Sequence, residues 1–169
     1  VTQVQVNAKS GLTFAAALRS ILRQDPDVVM IGEMRDEETA DIGVRAAITG
    51  HLVLSTLHTN DCVSVIYRLK NMGIPFYMIA AALTGVVAQR LVKVLCPYCK
   101  KKAFADKGTR HLIRDFTGEE MEEVWEAVGC GECQFTGYSH RTAVYEIFEL
   151  NETVKNMIRD GESAEKIRY

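Results

Sequence analysis

Two short apolar runs, Asp27-Val-Val-Met-Ile31 and Leu52-Val-Leu-Ser-Thr56, set the strongest constraint on the fold. Neither alternates with polar residues, so each predicts a strand covered on both faces, as in a parallel sheet. The segments around them carry a helical period. Leu12, Ala15, Leu18, Ile21 and Leu22 recur at that spacing ahead of the first run, and Asp25-Pro26 stops them. From about Glu37, Ala40, Val44, Ala47 and Ile48 trace another apolar face, ended by Gly50 as a left-handed cap. The polar residues His58 to Asp61 then suit the cap of a helix bearing Val65, Ile66, Leu69 and Met72. Gly73 closes that helix, and Pro75 stands where a first helical residue belongs. Strands alternating with helices in this way predict an α/β domain.

The chain has 169 residues, is 47% hydrophobic and carries a formal charge of −2, which suits one domain with a small appended module. Near-neutral charge gives no electrostatic footprint for nucleic acid. The start, Val1-Thr2-Gln3-Val4, has neither an initiator Met nor a charged-then-apolar leader, so a piece of a longer protein is expected. Val4 and Val6 alternate with Gln3, Gln5 and Asn7, predicting a short opening strand closed by Ser10-Gly11. The most apolar stretch, Ile74–Ala88, falls short of the roughly 20 residues that span a bilayer and predicts a buried core helix. Any membrane contact is then peripheral.

Composition shifts after Leu95. Four of the five cysteines form two Cys-x-x-Cys pairs, Cys96-Pro-Tyr-Cys99 and Cys130-Gly-Glu-Cys133. Disulfides suit a small secreted domain better than a chain of this size without a leader, so a closed, structural Cys₄ zinc site is favoured. An iron–sulfur cluster or redox-active pairs are the competing readings. Between the pairs, Thr117-Gly-Glu-Glu120 fits a capping box for a helix carrying Met121, Val124, Trp125 and Val128. Beyond Cys133, Thr142–Leu150 alternates as a strand, and Asn151 caps a last amphipathic helix with Val154, Met157 and Ile158. Cys62, alone in a helical pattern, is expected as a small buried hydrophobe.

Gly32-Glu-Met-Arg-Asp36 closes the first apolar run, and His58 lies just past the second. A solvent-exposed charged turn is one reading. If the strands are parallel neighbours, however, Glu33 and His58 emerge together at the carboxyl edge, where open α/β sheets bind ligands. A carboxylate there polarises a water for attack on a phosphoryl group, and a histidine senses or stabilises that group. His51 precedes its strand and is expected at the opposite edge or in an interface.

These stretches also carry a resemblance. "GLTFAAALRSILRQDPDVVMIGEMRDEETA" followed by "TGHLVLSTLHTND" closely resembles the hexameric ATPases that power type II secretion and type IV pilus assembly, and the likeness continues through "AQRLVKVLCPYCK" and "GYSHRTAVYEIFEL". It implies a partial RecA-like P-loop ATPase core of mostly parallel sheet with flanking helices (1–95), a tetracysteine zinc-binding subdomain (96–133), and a C-terminal strand and helices (134–169). It implies Glu33 as the Walker B catalytic glutamate, aimed at Mg²⁺-bound ATP and the attacking water, and His58 as the box histidine near the γ-phosphate. Nucleotide contacts follow for Arg35, Asp36, His51 and Arg141, and Zn²⁺ ligation for Cys96, Cys99, Cys130 and Cys133. A cytoplasmic homo-hexamer is implied, engaging inner-membrane platform and adaptor proteins and no nucleic acid. His140 stands where the family usually has Gly, and Cys62 where a small residue is common.

The phosphate loop Gly-x-x-x-x-Gly-Lys-Ser/Thr occurs nowhere in the 169 residues, nor does the family's acidic box, so these residues alone are expected to be inactive. A zinc-ribbon nucleic-acid-binding protein and another RecA-like motor such as a helicase are the alternative functions.

Overall fold

Helix α1 (Phe14–Leu22) begins where the Thr13 hydroxyl accepts the Ala16 N–H at 3.2 Å. In the computed structural model, which describes residues 1–7, 9 and 11–168, it leads into β1 (Val28–Ile31). There follow α2 (Glu37–Ile48), β2 (Leu52–Ser55), α3 (Ser64–Asn71) and α4 (Phe76–Ala82). Strands β1 and β2 pair in parallel, with Val28 opposite Leu52 and Ile31 opposite Ser55. These elements belong to one compact unit, Val1–Ala88 with Glu146–Tyr169. Its core gathers Leu18, Val29, Ile31, Val44, Ile66 and Ile79. The chain's end joins the same core: α6 (Glu152–Arg159) contributes Ile158 and α7 (Ala164–Arg168) contributes Ile167. Asn151 caps α6 as expected, accepting the Val154 N–H at 2.9 Å.

The second compact unit is Gln89–Tyr145. It holds an antiparallel pair, β4 (Lys101–Phe104) with β5 (Glu123–Glu126), joined through α5 (Lys107–Thr117). Strands β3 (Gly85–Leu95) and β6 (Tyr138–Glu149) pair with each other, and the division between units falls inside both. The sequence placed a boundary at Leu95 instead. Within 89–145 the buried residues are Cys96, Ala105, Cys133 and Gly137, so this unit has almost no apolar core of its own.

Four expectations change. The opening strand is absent: residues 1–6 are irregular, and Asn7 pairs with Leu12 in an isolated bridge rather than a strand. Its expected stop at Ser10 lies outside the described residues. The apolar stretch Ile74–Ala88 is not one helix, because α4 stops at Ala82 and β3 starts at Gly85, where β-branched Val86 and Val87 favour a strand. Thr117 ends a helix rather than starting one. Gly118, at φ +73°, is the left-handed cap of α5, and Val124 and Trp125 lie on a strand. Finally, β1 and β2 are covered on one face only. Val29 and Ile31 are buried, while Val28, Met30, Leu52 and Leu54 are 54%, 75%, 52% and 48% exposed on the other. The register places those four side by side, because paired residues in a parallel ladder point to the same face.

Among the described residues no helix is long and apolar enough to cross a membrane. The C-terminal helix gives a direct test of how the first unit is held together. Ile158 is 0% exposed, so Ile158→Ala is expected to cost about 2–5 kcal/mol through lost burial and a residual cavity. Urea unfolding should show a lower midpoint at an unchanged m-value.

Candidate functional site

The carboxyl ends of β1 and β2 assemble one constellation. Parallel pairing brings Gly32-Glu33 and Thr56-Leu57-His58 out on the same edge. Glu33 Oε1 lies 2.8 Å from His58 Nε2, and Glu33 Oε2 lies 2.6 Å from the Arg35 guanidinium. Both carboxylate oxygens are therefore engaged. The Glu33 side chain is 20% exposed, whereas those of Arg35 and His58 are 79% and 85% exposed. A half-sheltered carboxylate is thus held by two arms that reach in from solvent. Backbone ties reinforce the edge, with the Thr56 hydroxyl donating to the Gly32 carbonyl at 2.7 Å and the Met34 N–H donating to the Thr56 carbonyl at 3.2 Å.

The other residues expected at this site are placed differently. Asp36 is the N-cap of α2, its two carboxylate oxygens accepting from the Thr39 N–H at 2.8 Å and the Thr39 hydroxyl at 3.0 Å. His51 sits just before β2, at the opposite end of the ladder from His58, with Nδ1 3.0 Å from the Ala46 carbonyl. The structure therefore does not bring His51 to the Glu33 edge. Arg141 is exposed on β6 in the 89–145 unit. Cys62 is fully buried, and its thiol donates to the Glu146 carbonyl at 3.3 Å. Burial pushes that thiol above its ordinary value, so it stays a protonated packing group.

The second constellation lies within the 89–145 unit. Cys96, Cys99, Cys130 and Cys133 place their sulfurs within 4.8 Å of one another. The Cys96–Cys130 separation is 4.0 Å, and the Cys99–Cys133 and Cys130–Cys133 separations are 3.8 Å. A disulfide would need about 2.05 Å. A tetrahedral ion bonded to four sulfurs at about 2.3 Å sets sulfur–sulfur edges of roughly 3.8 Å, close to the 3.8–4.0 Å of those three pairs.

Backbone N–H groups point at these sulfurs, as a thiolate cluster requires. Gly129 donates to Cys99 at 3.3 Å, and Cys130 and Gly137 both donate to Cys133 at 3.2 Å. Burial acts to raise the Cys133 thiol, but those two N–H groups, together with hydrogen bonds from the Cys130 and Cys99 thiols, outweigh it and bring it down to about 6. For Cys99, burial and the neighbouring thiols outweigh one N–H and push it up to about 11. The two donor glycines are tightly constrained. Gly129 and Gly137 adopt φ +112° and +77°, and an added Cβ would lie 2.7 Å from the Phe135 carbonyl oxygen and 2.6 Å from the Ala127 Cβ.

Sequence reasoning missed Thr56, whose only signal was a hydroxyl directly after an apolar run. It also missed the partner of Asp61. Asp61 accepts from the Ser64 N–H at 2.9 Å and the Ser64 hydroxyl at 2.7 Å, and pairs with Arg168 at 2.9 Å. It thereby braces the turn leading into α3 and ties the loop carrying His58 to α7.

A family model described as "Type II/IV secretion system protein" matches residues 1–169. The chain is 48% identical over 166 residues to the type II secretion system ATPase E of Vibrio cholerae, covering 97% of this chain and 33% of that protein. It is also 48% identical over 176 residues to the type IV pilus assembly ATPase PilB of Myxococcus xanthus, covering 99% and 30%. A crystal structure of the pilus retraction motor PilT with bound ADP aligns at a TM-score of 0.57 and 31% identity, over 88% of this chain and 33% of that one. The chain spans about a third of the length of its curated relatives.

The Asp61 geometry predicts a pH-dependent stability. Burial opposes ionisation of Asp61, but the Ser64 bonds and Arg168 hold its carboxyl below the ordinary value of 3.8. A depressed folded value means the stabilisation is present above that ordinary value and fades as pH falls through the lower, folded one. Asp61→Asn keeps an acceptor for Ser64 but removes the charge that pairs with Arg168, so it is expected to cost about 0–1 kcal/mol at pH 7, with the gap to the parent closing in acid. Urea midpoints from about pH 7 down to about pH 2, below the ordinary carboxylate range, check this.

Proposed function

The chain belongs to the type II/IV secretion system protein family, and from that membership we propose that it is the carboxy-terminal part of a RecA-like ATPase that powers type II secretion or type IV pilus assembly. The observation that carries this reading is the Glu33–His58 pair at the carboxyl edge of two parallel strands. In this reading Glu33 orients and polarises the water that attacks the γ-phosphate. His58 and Arg35, long and exposed, reach to the phosphates; the nucleotide contacts implied for Asp36, His51 and Arg141 rest on the family resemblance, since Asp36 caps α2 and His51 lies at the other end of the ladder. Mg²⁺ bound with ATP would neutralise charge on the phosphates, and Glu33 would be the carboxylate offered to its water shell. The whole protein works as a cytoplasmic homo-hexamer, held at the inner membrane through platform and adaptor proteins and binding no nucleic acid. No observation favours the zinc-ribbon or helicase reading.

Zinc is the ion we assign to Cys96, Cys99, Cys130 and Cys133. The sulfur spacing and N–H donors suit a closed tetrahedral Cys₄ site, whose role is to hold a subdomain together rather than to catalyse. The scarcity of buried residues in 89–145 supports that role, since so small a core does not stabilise a fold unaided.

Two experiments test these roles. In the full-length protein, Glu33→Gln is expected to abolish ATP hydrolysis while sparing ATP binding, since it keeps size and hydrogen bonding but removes the charge. Hydrolysis at the parent rate would reduce Glu33 to a structural strand-end carboxylate. For the metal, elemental analysis without added metal should find about one zinc per chain. Chelation should then unfold 89–145, read as rapid amide exchange across that segment. A native Cys96–Cys99 or Cys130–Cys133 disulfide, or iron in place of zinc, would overturn the assignment.

A further inference from the structure

We infer that Thr56 is a positioning residue for Glu33, clamping the peptide groups on both of its sides to the strand that leads to His58. The inference rests on the proposed role of Glu33. The β1–β2 ladder ends with Ile31 opposite Ser55. One residue further on, where β1 has already ended, two hydrogen bonds converge on Thr56. Its hydroxyl donates to the Gly32 carbonyl at 2.7 Å, and its carbonyl accepts the Met34 N–H at 3.2 Å. The Gly32 carbonyl belongs to the peptide before Glu33, and the Met34 N–H to the peptide after it. Both soft dihedrals of Glu33 are therefore restrained by one residue of the neighbouring strand.

Any residue at position 56 would supply the carbonyl. Only a hydroxyl side chain supplies the donor, and the β-branch of threonine suits extended backbone. Two residues later the same segment delivers His58, so the clamp sets the spacing between the two members of the pair. Nothing comparable is needed for Arg35 and His58, whose side chains reach in from solvent. Glu33 is different, because a water-orienting carboxylate displaced by about 1 Å loses much of its rate.

The test compares Thr56→Val, which keeps shape and removes the hydroxyl, with Thr56→Ser, which keeps the hydroxyl. In the full-length protein Thr56→Val is expected to lower kcat about ten-fold with KM for ATP little changed. Thr56→Ser should restore kcat to within about two-fold. Residue-resolved amide exchange on the same proteins should show Met34 exchanging about ten-fold faster in Thr56→Val and near parent in Thr56→Ser, with Val29 and Ile31 unchanged. If Thr56→Val matches the parent in kcat and in Met34 exchange while Glu33→Gln is dead, the clamp is refuted and the catalytic reading stands. Equal loss in both Thr56 variants also refutes it, since the hydroxyl would not be the determinant. If Glu33→Gln still hydrolyses ATP, the proposed function fails instead, and Met34 exchange alone then decides for or against the clamp.

Discussion

Parallel pairing of β1 with β2, in the register that sets Ile31 against Ser55, is the constraint on which the candidate site depends. Reversing the direction of either strand would send Glu33 and His58 to opposite edges, with a four-residue ladder of about 13 Å between them. Slipping the register by one residue would turn the buried Val29 and Ile31 outward and break the core. The same apolar burial that holds the strands thus determines where the carboxylate and imidazole meet.

The 89–145 unit is organised on a different principle. It buries two of its four cysteines, one alanine and one glycine, and leaves Phe104, Phe116 and Leu112 exposed. Hydrophobic burial cannot define such a structure. Under the proposed zinc assignment its order comes from four sulfurs and the N–H groups aimed at them, and Gly129 and Gly137 sit where no side chain fits. One chain therefore contains a unit held by an apolar core and a unit organised around soft ligands.

Legibility in the sequence followed the range of the interactions. Helix α1, the strand–helix alternation, the Asn151 cap and the two Cys-x-x-Cys knuckles were readable because each is a local pattern. So was the meeting of Glu33 and His58, given parallel strands. The breaks that went unread depend on competition between neighbours. Ile74–Ala88 has the apolarity of a helix, yet Val86 and Val87 find a partner in the distant strand β6. Thr117-Gly118 looks like a start until the Asp106 cap shows a helix already under way. The Asp61–Arg168 and Thr56–Gly32 contacts join residues far apart in sequence, so no local pattern announces them. The two apolar runs were read as covered on both faces, and the apolar character of Val28, Met30, Leu52 and Leu54 does encode a cover. Among the described residues that face stays exposed.

The uneven exposure within the Glu33 cluster bears on how such a site would act. A solvent-exposed ion pair contributes only about 0–1 kcal/mol, because water competes for both partners and long side chains lose entropy when held. Arg35 and His58 reach in from solvent, so under the proposed function an arriving polyanion competes with Glu33 for both of them. The carboxylate itself is the sheltered member, and the backbone on both sides of it is tied to β2. What remains after the two donors leave is a carboxylate with both oxygens free and its position unchanged. Under the proposed function, this is the state in which Glu33 can accept from a water, and it would be reached without moving either strand.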